Sequence, residues 1–413
     1  MINPPSLTLM RCLLALALAG GLVQTQAANW LQFRGPQGSG VATGAILPST
    51  LDTNKNVAWK SPLPGRGLSS PVIVGDRLFV TCSSGALGER LHVICLNAKD
   101  GSVRWERQFW ATGRTTCHEK ISPAAPSPTS DGERIFAIFS SNDLFCLDLE
   151  GNLLWLRGLM RDYPNASNGL GLSSSPVAVD GVLVAQLETD GEALALGIDV
   201  KTGLNRWKLP RPHRANWTSP VVLPAANGKH NVALQSSAGV QLVDAATGQE
   251  IWKYTEGAST MPSSASAGDI LYVPSNGITA LQSAGPGQPP KQLWRATQLR
   301  PSTGSPLVFN ERIFTLNDAG VLTAANTADG KRLWQLRLKG PFSASPLAAG
   351  KFIYLVNEKG LVQVVDPTQP EGALVGEMNI AETIIGTPSI SADALYVRSD
   401  AHLWKISQPS ELQ

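Results

Sequence analysis

The chain has 413 residues, with 34 lysines and arginines against 32 aspartates and glutamates. This near-neutral balance excludes a typical nucleic-acid binder, which carries a basic excess clustered on one face. The 39 glycines and 29 prolines indicate many short strands joined by turns. We therefore expect an all-β protein with no nucleic-acid partner.

The first 27 residues have the features of a secretory signal peptide. Arg11 is the side-chain cation of the N-terminal region, and residues 12–23 form an apolar run. This run is shorter than the roughly 20 residues that span a bilayer, and Thr25 to Ala27 fit a cleavage site. The sequence predicts a periplasmic or secreted protein without a transmembrane segment. A buried N-terminal helix is the alternative.

Residues 28–56 show no strand alternation and match no later part of the chain. Trp30 and Phe33 predict that this arm packs against the domain through its aromatic side chains. We interpret the arm as a structural strap. A cover over a bound ligand is the alternative, because loops on a rigid scaffold often carry binding residues.

Residues 57–408 repeat one unit of four predicted strands. A unit opens with Ser-Pro or a similar pair, and it closes with an Asp/Gly turn followed by a strand that contains tryptophan. The clearest copies end at Trp207 and Trp252. Glycine supplies the positive φ that a tight hairpin turn needs, and aspartate bonds the backbone of the turn. The stretch therefore predicts a hairpin that recurs along the chain.

The spacing of these units predicts the fold. The tryptophans follow one another at intervals of 40–52 residues: Trp59, Trp105, Trp155, Trp207, Trp252, Trp294 and Trp334. Such periods with four strands are typical of β-propeller blades. A stacked solenoid is the alternative. However, the strand at Trp59 lacks a blade, and the last unit, which ends near Ile406, lacks one strand. We predict an eight-bladed β-propeller of four-stranded antiparallel blades, closed by pairing these two ends, with a tail at residues 409–413.

The loops between blades are predicted to lie on one face of the propeller. They carry cationic and aromatic residues of the kinds that interfaces favour. A solvated face without a partner is the alternative. The candidate interaction face comprises Arg114, His118, Lys120, Arg161, Tyr163, His213, Arg214, Trp217 and Arg300.

Carboxylates recur in the turns between the second and third strands of the blades, at Asp143, Asp190, Asp318, Glu358 and Asp400. Calcium takes six to eight oxygen ligands, but aspartate is also ordinary in such turns. The sequence shows no catalytic-triad or H-E-x-x-H motif. We expect no catalytic residue and no metal site. The cysteines at 82, 95, 117 and 146 are expected to be buried thiols, with a Cys82–Cys95 bridge as the alternative.

The Asp-x-x-Thr-Gly turn followed by a tryptophan strand, complete at residues 199–207 and 244–252, resembles the pyrroloquinoline-quinone-like (PQQ-like) propeller repeats. The opening residues from Trp30 to Pro36, with Gly38 and Gly40, are similar to those of exported bacterial proteins of this class. One branch of the family, the quinoprotein dehydrogenases, holds a quinone and a calcium ion, with an Asp base and usually a disulfide of adjacent cysteines. The other, the BamB-like periplasmic scaffolds, binds no quinone.

The chain has neither adjacent cysteines nor the long insertions of the dehydrogenases. The resemblance therefore implies the BamB-like branch, a monomeric, non-enzymatic scaffold that binds protein partners in the exported compartment. A PQQ-dependent oxidoreductase is the first alternative, and a propeller that binds a glycan or another small ligand is the second. Neither PQQ nor calcium is expected as a cofactor.

Overall fold

The structure is a computed structural model that describes residues 29–167, 169–225 and 228–409. The chain begins with an arm, and the elements of this arm precede the first complete blade. They are a 3-10 helix (Pro36–Gly38), β1 (Val41–Ala42) and α1 (Thr53–Asn56), and β2 (Val57–Pro62) follows the arm.

Eight antiparallel sheets follow, and the inner strands of successive sheets are neighbours. Blade 1 contains β3 (Val72–Val74), β4 (Arg77–Ser84), β5 (Arg90–Asn97) and β6 (Val103–Trp110). Blade 2 contains β7 (Thr129–Ser130), β8 (Arg134–Ile138), β9 (Asp143–Asp148) and β10 (Leu153–Gly158), and α2 (Leu159–Asp162) follows it. Blade 3 contains β11 (Val177–Val179), β12 (Val182–Leu187), β13 (Leu194–Asp199) and β14 (Asn205–Pro210). Blade 4 contains β15 (Val221–Pro224), β16 (His230–Ser236), β17 (Gly239–Asp244) and β18 (Glu250–Tyr254).

The second half of the ring has the same organisation. Blade 5 contains β19 (Ala265–Ala267), β20 (Ile270–Ser275), β21 (Gly277–Gln282) and β22 (Lys291–Ala296). Blade 6 contains β23 (Leu307–Phe309), β24 (Arg312–Leu316), β25 (Val321–Asn326) and β26 (Arg332–Arg337). Blade 7 contains β27 (Leu347–Ala349), β28 (Phe352–Val356), β29 (Leu361–Asp366) and β30 (Ala373–Asn379), and β1 adds to its inner edge. Blade 8 contains β31 (Ser389–Ser391), β32 (Ala394–Arg398) and β33 (His402–Ser407), and β2 completes it.

The ring closes through blade 8. Strand β2, from the start of the chain, pairs antiparallel with β33 from its end, with Val57 opposite Ile406 and Pro62 opposite His402. This pairing confirms the predicted eight-bladed, four-stranded antiparallel propeller and its closure by the two chain ends. Closure leaves the ring without an unpaired end blade, which would expose a strand edge.

The tryptophans of the outer strands pack between blades, as a large apolar side chain with one N–H to satisfy is expected to do. The Trp155 indole of blade 2 donates to the Val200 carbonyl of blade 3 at 3.1 Å, and it lies over the turn at Gly203. The Trp105 and Trp207 indoles make the same kind of contact with their next blades, at 3.0 Å each. The repeated turn and tryptophan thus join one blade to the next.

Replacing Gly203 with alanine tests this joint. Gly203 has a φ of +72°, and a Cβ there would lie 2.8 Å from the Trp155 ring. We expect Gly203→Ala to lower the free energy of unfolding by about 2–5 kcal/mol, because the left-handed backbone and the overpacking both cost energy. Gly75 is the matched control, with a φ of +59° and no atom within 4 Å of a Cβ. Equal shifts in urea midpoint for Gly203→Ala and Gly75→Ala would contradict the packing role.

The arm at residues 29–56 lies against the inner strands of several blades. Trp30 exchanges backbone hydrogen bonds of 2.9 Å with Ile73 of blade 1, and the Leu31 carbonyl accepts from Ser130 of blade 2 at 2.8 Å. Further along, β1 runs parallel to β27 of blade 7. The Trp30 side chain is only 1% exposed. These contacts agree with the interpretation of the arm as a strap packed by its aromatic residues.

Two predictions concern export and membranes, namely the signal peptide and the lack of a transmembrane segment. The signal peptide predicted at residues 1–27 lies outside the described residues. Across the described ranges, no helix has both the length and the apolar character needed to cross a membrane.

Candidate functional site

Hydroxyl residues line the central channel where the inner strands begin. Each blade supplies one of them: Ser70, Ser127, Ser175, Ser219, Ser263, Ser305, Ser345 and Thr387. In seven consecutive steps, the backbone N–H of one residue donates to the side-chain hydroxyl of the next, at 2.8–3.0 Å. We call the seven acceptors, from Ser127 to Thr387, the hydroxyl ring.

The hydroxyl ring has donor capacity that the fold does not use. A hydroxyl has one O–H donor and two acceptor lone pairs. In the ring each oxygen accepts a backbone N–H, and within the described chain none of the seven donates its own hydrogen to a protein acceptor. Seven O–H groups therefore converge on one space along the propeller axis.

That space is a pocket of about 340 Å³. This volume lies in the range of small-molecule sites, which is about 300–1,000 Å³. All seven residues of the hydroxyl ring line it. Its other lining groups include Phe33 from the arm, and His118, Lys120, Leu170 and Trp217 from the loops between blades.

Beneath the pocket, the arm places a buried cation. Arg34 lines a smaller cavity that shares Phe33, Ser219 and Ser263 with the pocket above it. Its guanidinium is 1% exposed and donates to the carbonyl oxygens of Ser264 and Pro306. Burial lowers the pKa of Arg34 to about 10, so the group stays charged at neutral pH.

Arg34 has no carboxylate in ion-pair contact among the described residues, and its Nε atom has no hydrogen-bond partner there. A buried cation without an opposite charge is costly to hold, and it attracts an anion strongly because the surrounding dielectric constant is low. The small cavity that adjoins the pocket is therefore positive.

The rim of the pocket combines an aromatic plane with cationic and polar groups. The Trp217 backbone N–H donates to Thr260 at 2.9 Å and its indole donates to Gly171 at 3.0 Å, so the ring is held in place. His118 Nδ1 accepts the backbone N–H of Lys120 at 3.2 Å, which leaves Nε2 as the donor of the neutral ring.

A carboxylate outside the pocket lining contacts two residues of the rim. Glu358 lies 3.5 Å from Lys120 Nζ and accepts from the Ser343 hydroxyl at 2.7 Å. Lys120 and Glu358 are thus close enough to neutralise each other at the edge of the pocket, whereas Arg34 below is not neutralised in this way.

The pocket brings together three of the nine residues of the predicted interaction face, His118, Lys120 and Trp217. Tyr163 is buried in a core cluster between blades 2 and 3, where its hydroxyl oxygen accepts from Asn205 at 2.7 Å. The other five are exposed outside the pocket lining: Arg114, Arg161, His213, Arg214 and Arg300. Their use as an interaction face stays a prediction.

The carboxylates of the second-to-third-strand turns do not form a metal site in the structure. No group of three or more His, Cys, Asp or Glu side chains is arranged to hold an ion within the described ranges. Asp143, for example, accepts from the Thr112 N–H at 2.9 Å and the Ser141 hydroxyl at 2.6 Å, so its carboxylate holds the loop after blade 1 against its own turn. All four cysteines at 82, 95, 117 and 146 are free, and the Cys82–Cys95 bridge does not form.

Sequence analysis missed the hydroxyl ring and Arg34 as functional groups. The signal for the ring was present, because seven of the eight hydroxyls belong to the Ser-Pro or Thr-Pro pairs that open the units. That signal was interpreted only as the start of a strand. No pattern in the sequence indicates that Arg34 lies under the pocket.

Comparison with known families agrees with the fold. A family model described as outer membrane protein assembly factor BamB matches residues 49–208, 165–274 and 288–373. The chain belongs to this family of PQQ-like β-propeller proteins. The predicted resemblance to PQQ-like repeats is thereby confirmed.

Curated relatives of this PQQ-like propeller are dehydrogenases. A polyvinylalcohol dehydrogenase from a Pseudomonas species is 28% identical over 267 residues, and the match covers 52% of this chain and 39% of that protein. A second, from Sphingopyxis sp. strain 113P3, is 26% identical over 237 residues, and the match covers 47% of this chain and 34% of that protein. The matched segments thus span well under half of these relatives. The predicted non-enzymatic scaffold is wrong on this finding, because the matching curated proteins are enzymes.

Solved structures from both branches share the fold. BamB from Moraxella catarrhalis superposes with a TM-score of 0.62 at 16% identity, covering 86% of this chain and 98% of that one. A europium-containing methanol dehydrogenase gives 0.70 at 12% identity, with coverages of 91% and 90%. The quinohemoprotein alcohol dehydrogenase of Comamonas testosteroni gives 0.69 at 12%, with coverages of 94% and 81%. At these identities the likeness concerns the fold alone.

Proposed function

We propose that this PQQ-like propeller is a quinoprotein-type oxidoreductase whose channel pocket holds a planar, anionic cofactor of the quinone class. The observation that carries the proposal is the convergence of seven unused hydroxyl donors above the buried Arg34. Donors and a cation around an enclosed space favour an anion with several acceptor oxygens. The dehydrogenase names of the curated relatives support the same class of activity.

The residues of the pocket divide the task of holding such a cofactor. Trp217 offers a fixed aromatic face for a planar ring. Arg34 supplies positive charge from the adjoining cavity, and Lys120, whose charge Glu358 balances, offers N–H donors at the rim. The hydroxyl ring donates to carboxylate and quinone oxygens. When bound, a quinone of this class takes two electrons and two protons from an alcohol.

The described residues do not fit a resident calcium ion. Calcium binds six to eight oxygens that include carboxylates, and no cluster of three acidic or imidazole ligands exists in the described chain. In our proposal, the negative charge of the cofactor is therefore balanced by Arg34.

Titration of the purified protein with PQQ tests the proposal. We expect saturable binding, seen as a thermal shift and a change in quinone absorbance, with the same affinity in calcium and in a chelator. Lys120→Ala, Trp217→Ala and Arg34→Gln should each weaken binding about tenfold, which is about 1.4 kcal/mol. Lys331→Ala is the matched control, since this lysine is exposed and outside the pocket lining.

Two results would contradict the proposal. The assignment of the cofactor to this pocket is contradicted if PQQ does not bind, or if Lys331→Ala weakens PQQ binding as much as Lys120→Ala does. The proposed oxidoreductase activity is contradicted if the protein binds PQQ but reduces no artificial electron acceptor when a primary, secondary or polymeric alcohol is the electron donor.

We also propose that the protein acts in the periplasm or outside the cell, because residues 1–27 resemble a signal peptide. Cell fractionation of the full chain should recover a form that lacks these residues from the exported fraction. Recovery of the intact chain in the cytoplasm would contradict this localisation. Protein partners and a monomeric state stay predictions.

A further inference from the structure

A serine, a histidine and a glutamate form a hydrogen-bonded row on blade 1, outside the channel pocket. The Ser84 hydroxyl lies 2.7 Å from His92 Nε2, and His92 Nδ1 lies 2.6 Å from Glu106 Oε1. The His92 side chain is 3% exposed and that of Glu106 is 30% exposed. No residue of this row lines the pocket that we assign to the cofactor.

Strand register explains the row. His92 of β5 pairs with Cys82 of β4, and Ile94 of β5 pairs with Glu106 of β6. Side chains two residues apart on a strand share a face, so Ser84, His92 and Glu106 all lie on one face of blade 1. They follow a diagonal across three strands, which brings their polar ends together. Their positions at 84, 92 and 106 match no sequence motif, and sequence analysis did not find them.

The hydrogen bonds in this row place the protons as an activated serine nucleophile requires. A carboxylate only accepts hydrogen bonds, so Glu106 requires the hydrogen on His92 Nδ1. His92 Nε2 is then an acceptor, and it faces the Ser84 O–H. A serine on a base, with the base oriented by a carboxylate, is the arrangement that makes a hydroxyl nucleophilic.

We propose that Ser84 is the nucleophile of an esterase-type site on blade 1, with His92 as general base and Glu106 as its positioning residue. Ser84 Oγ bonds to the ester carbonyl carbon while His92 Nε2 takes the hydroxyl proton. The bond from that carbon to the alcohol oxygen then breaks, and His92 returns the proton to the leaving alcohol. A water molecule then bonds to the acyl carbon while His92 Nε2 takes its proton. The bond from that carbon to Ser84 Oγ breaks, His92 returns the proton to Ser84, and the carboxylic acid leaves.

Neighbouring groups indicate the class of ester. Arg90 lies opposite Ser84 in the register and Trp110 lies opposite Arg90, so all three share one face of the blade. The Arg90 guanidinium lies 5.4 Å from the centre of the Trp110 ring, and Trp110 is 65% exposed. This surface offers a flat apolar contact to an aryl alcohol. Because Ser84 itself is partly buried, the acyl group that reaches it is small.

Main-chain donors lie next to the nucleophile in the chain. Gly85 and Ala86 begin the turn after Ser84, and neither N–H donates a hydrogen bond within the described chain. Gly85 has a φ of +94°, a conformation that glycine adopts readily. N–H groups of this kind stabilise the oxyanion that forms when the ester is attacked.

Labelling with a fluorophosphonate and hydrolysis of 4-nitrophenyl acetate by the purified protein test the proposal. We expect one label per chain, mapped by mass spectrometry to Ser84, and ester hydrolysis that Ser84→Ala abolishes. Because a general base contributes about 10²–10⁴-fold, His92→Gln should slow both reactions at least a hundredfold. Ser102→Ala is the matched control, since this exposed serine in the turn before β6 donates its hydroxyl to Asp100 at 2.6 Å. It should react as the unaltered protein does.

Three results of these experiments would each overturn the proposed esterase site. They are an unlabelled Ser84, a label that maps to another serine, or a His92→Gln protein that reacts at the original rate. If His92→Gln does not fold, Glu106→Gln replaces it, because Glu106 is partly exposed and the change keeps its shape. Glu106→Gln at the original rate, with an unchanged melting temperature, also overturns the proposal. Variants of Lys120 and Trp217 leave the residues of this site intact. A negative result for the esterase site is therefore independent of the result for the proposed cofactor pocket.

Discussion

Replacing Glu188 with alanine is expected to lower the free energy of unfolding by about 3–5 kcal/mol. The Glu188 carboxylate is completely buried, and the Arg211 guanidinium beside it is 3% exposed, with Nε 2.6 Å from Oε1. Gln186 donates to the same oxygen at 2.8 Å, and Asn216 donates to the other at 3.1 Å. Without the carboxylate, the Arg211 charge stays buried between blades 3 and 4 with no opposite charge. Urea unfolding followed by fluorescence measures the loss.

Two further variants separate this effect from ordinary ion pairing. Glu150→Ala removes the partner of Arg77, but the Glu150 side chain is 67% exposed, so the expected loss is below about 1 kcal/mol. The double variant Glu188→Met with Arg211→Met removes both charges, and we expect it to cost less than the sum of its single changes. A Glu188→Ala protein as stable as Glu150→Ala would contradict the buried-charge argument.

The second large effect is a loss of stability in acid at the closure of the ring. Glu382 accepts hydrogen bonds from four side chains: Lys60 of β2, and Ser399, His402 and Trp404 of blade 8. Burial raises the pKa of Glu382, but these hydrogen bonds outweigh it and bring the pKa down to about 2. The lowered pKa means that the folded protein stabilises the ionised carboxylate more than the unfolded chain does.

The stabilisation by Glu382 is fully present above the ordinary glutamate pKa of about 4.3, and it is lost as the pH falls towards 2. We expect this contribution to reach about 2–3 kcal/mol at neutral pH, because each pKa unit corresponds to about 1.4 kcal/mol. Glu382→Gln should therefore lower the melting temperature at pH 7 and leave it nearly unchanged at pH 2.

Glu133→Gln is the control for the acid experiment, because the Glu133 side chain is 78% exposed. Its melting temperature should equal that of the unaltered protein at every pH. If the melting temperatures of Glu382→Gln and the unaltered protein differed by the same amount at every pH between 7 and 2, the role of Glu382 in closing the ring would be contradicted.

The sequence predicted the architecture because each blade encodes it locally. The turn glycine, the tryptophan four residues later in five of the copies, and the interval to the next copy are all visible without knowledge of distant contacts. Even the closure followed from local information, since Trp59 stands alone at one end and a strand is missing near Ile406 at the other. The structure pairs these two segments as predicted.

The function was predicted less well, for two reasons. The absence of adjacent cysteines and of long insertions was interpreted as absence of an enzyme, although the matching curated proteins are dehydrogenases. The loop residues were grouped by type, whereas the structure places Tyr163 in the core and brings only His118, Lys120 and Trp217 to the pocket.

By itself, then, the sequence determined the number of blades, their strand order and the way the ring closes, because these depend on local turns and on a repeating period. Only the tertiary structure decided where the chemistry lies. Arg34 meets Ser264 and Pro306, which are 230 and 272 residues away, because the arm crosses the channel. The row from Ser84 to Glu106 exists because of a strand register that the spacing of these residues does not reveal.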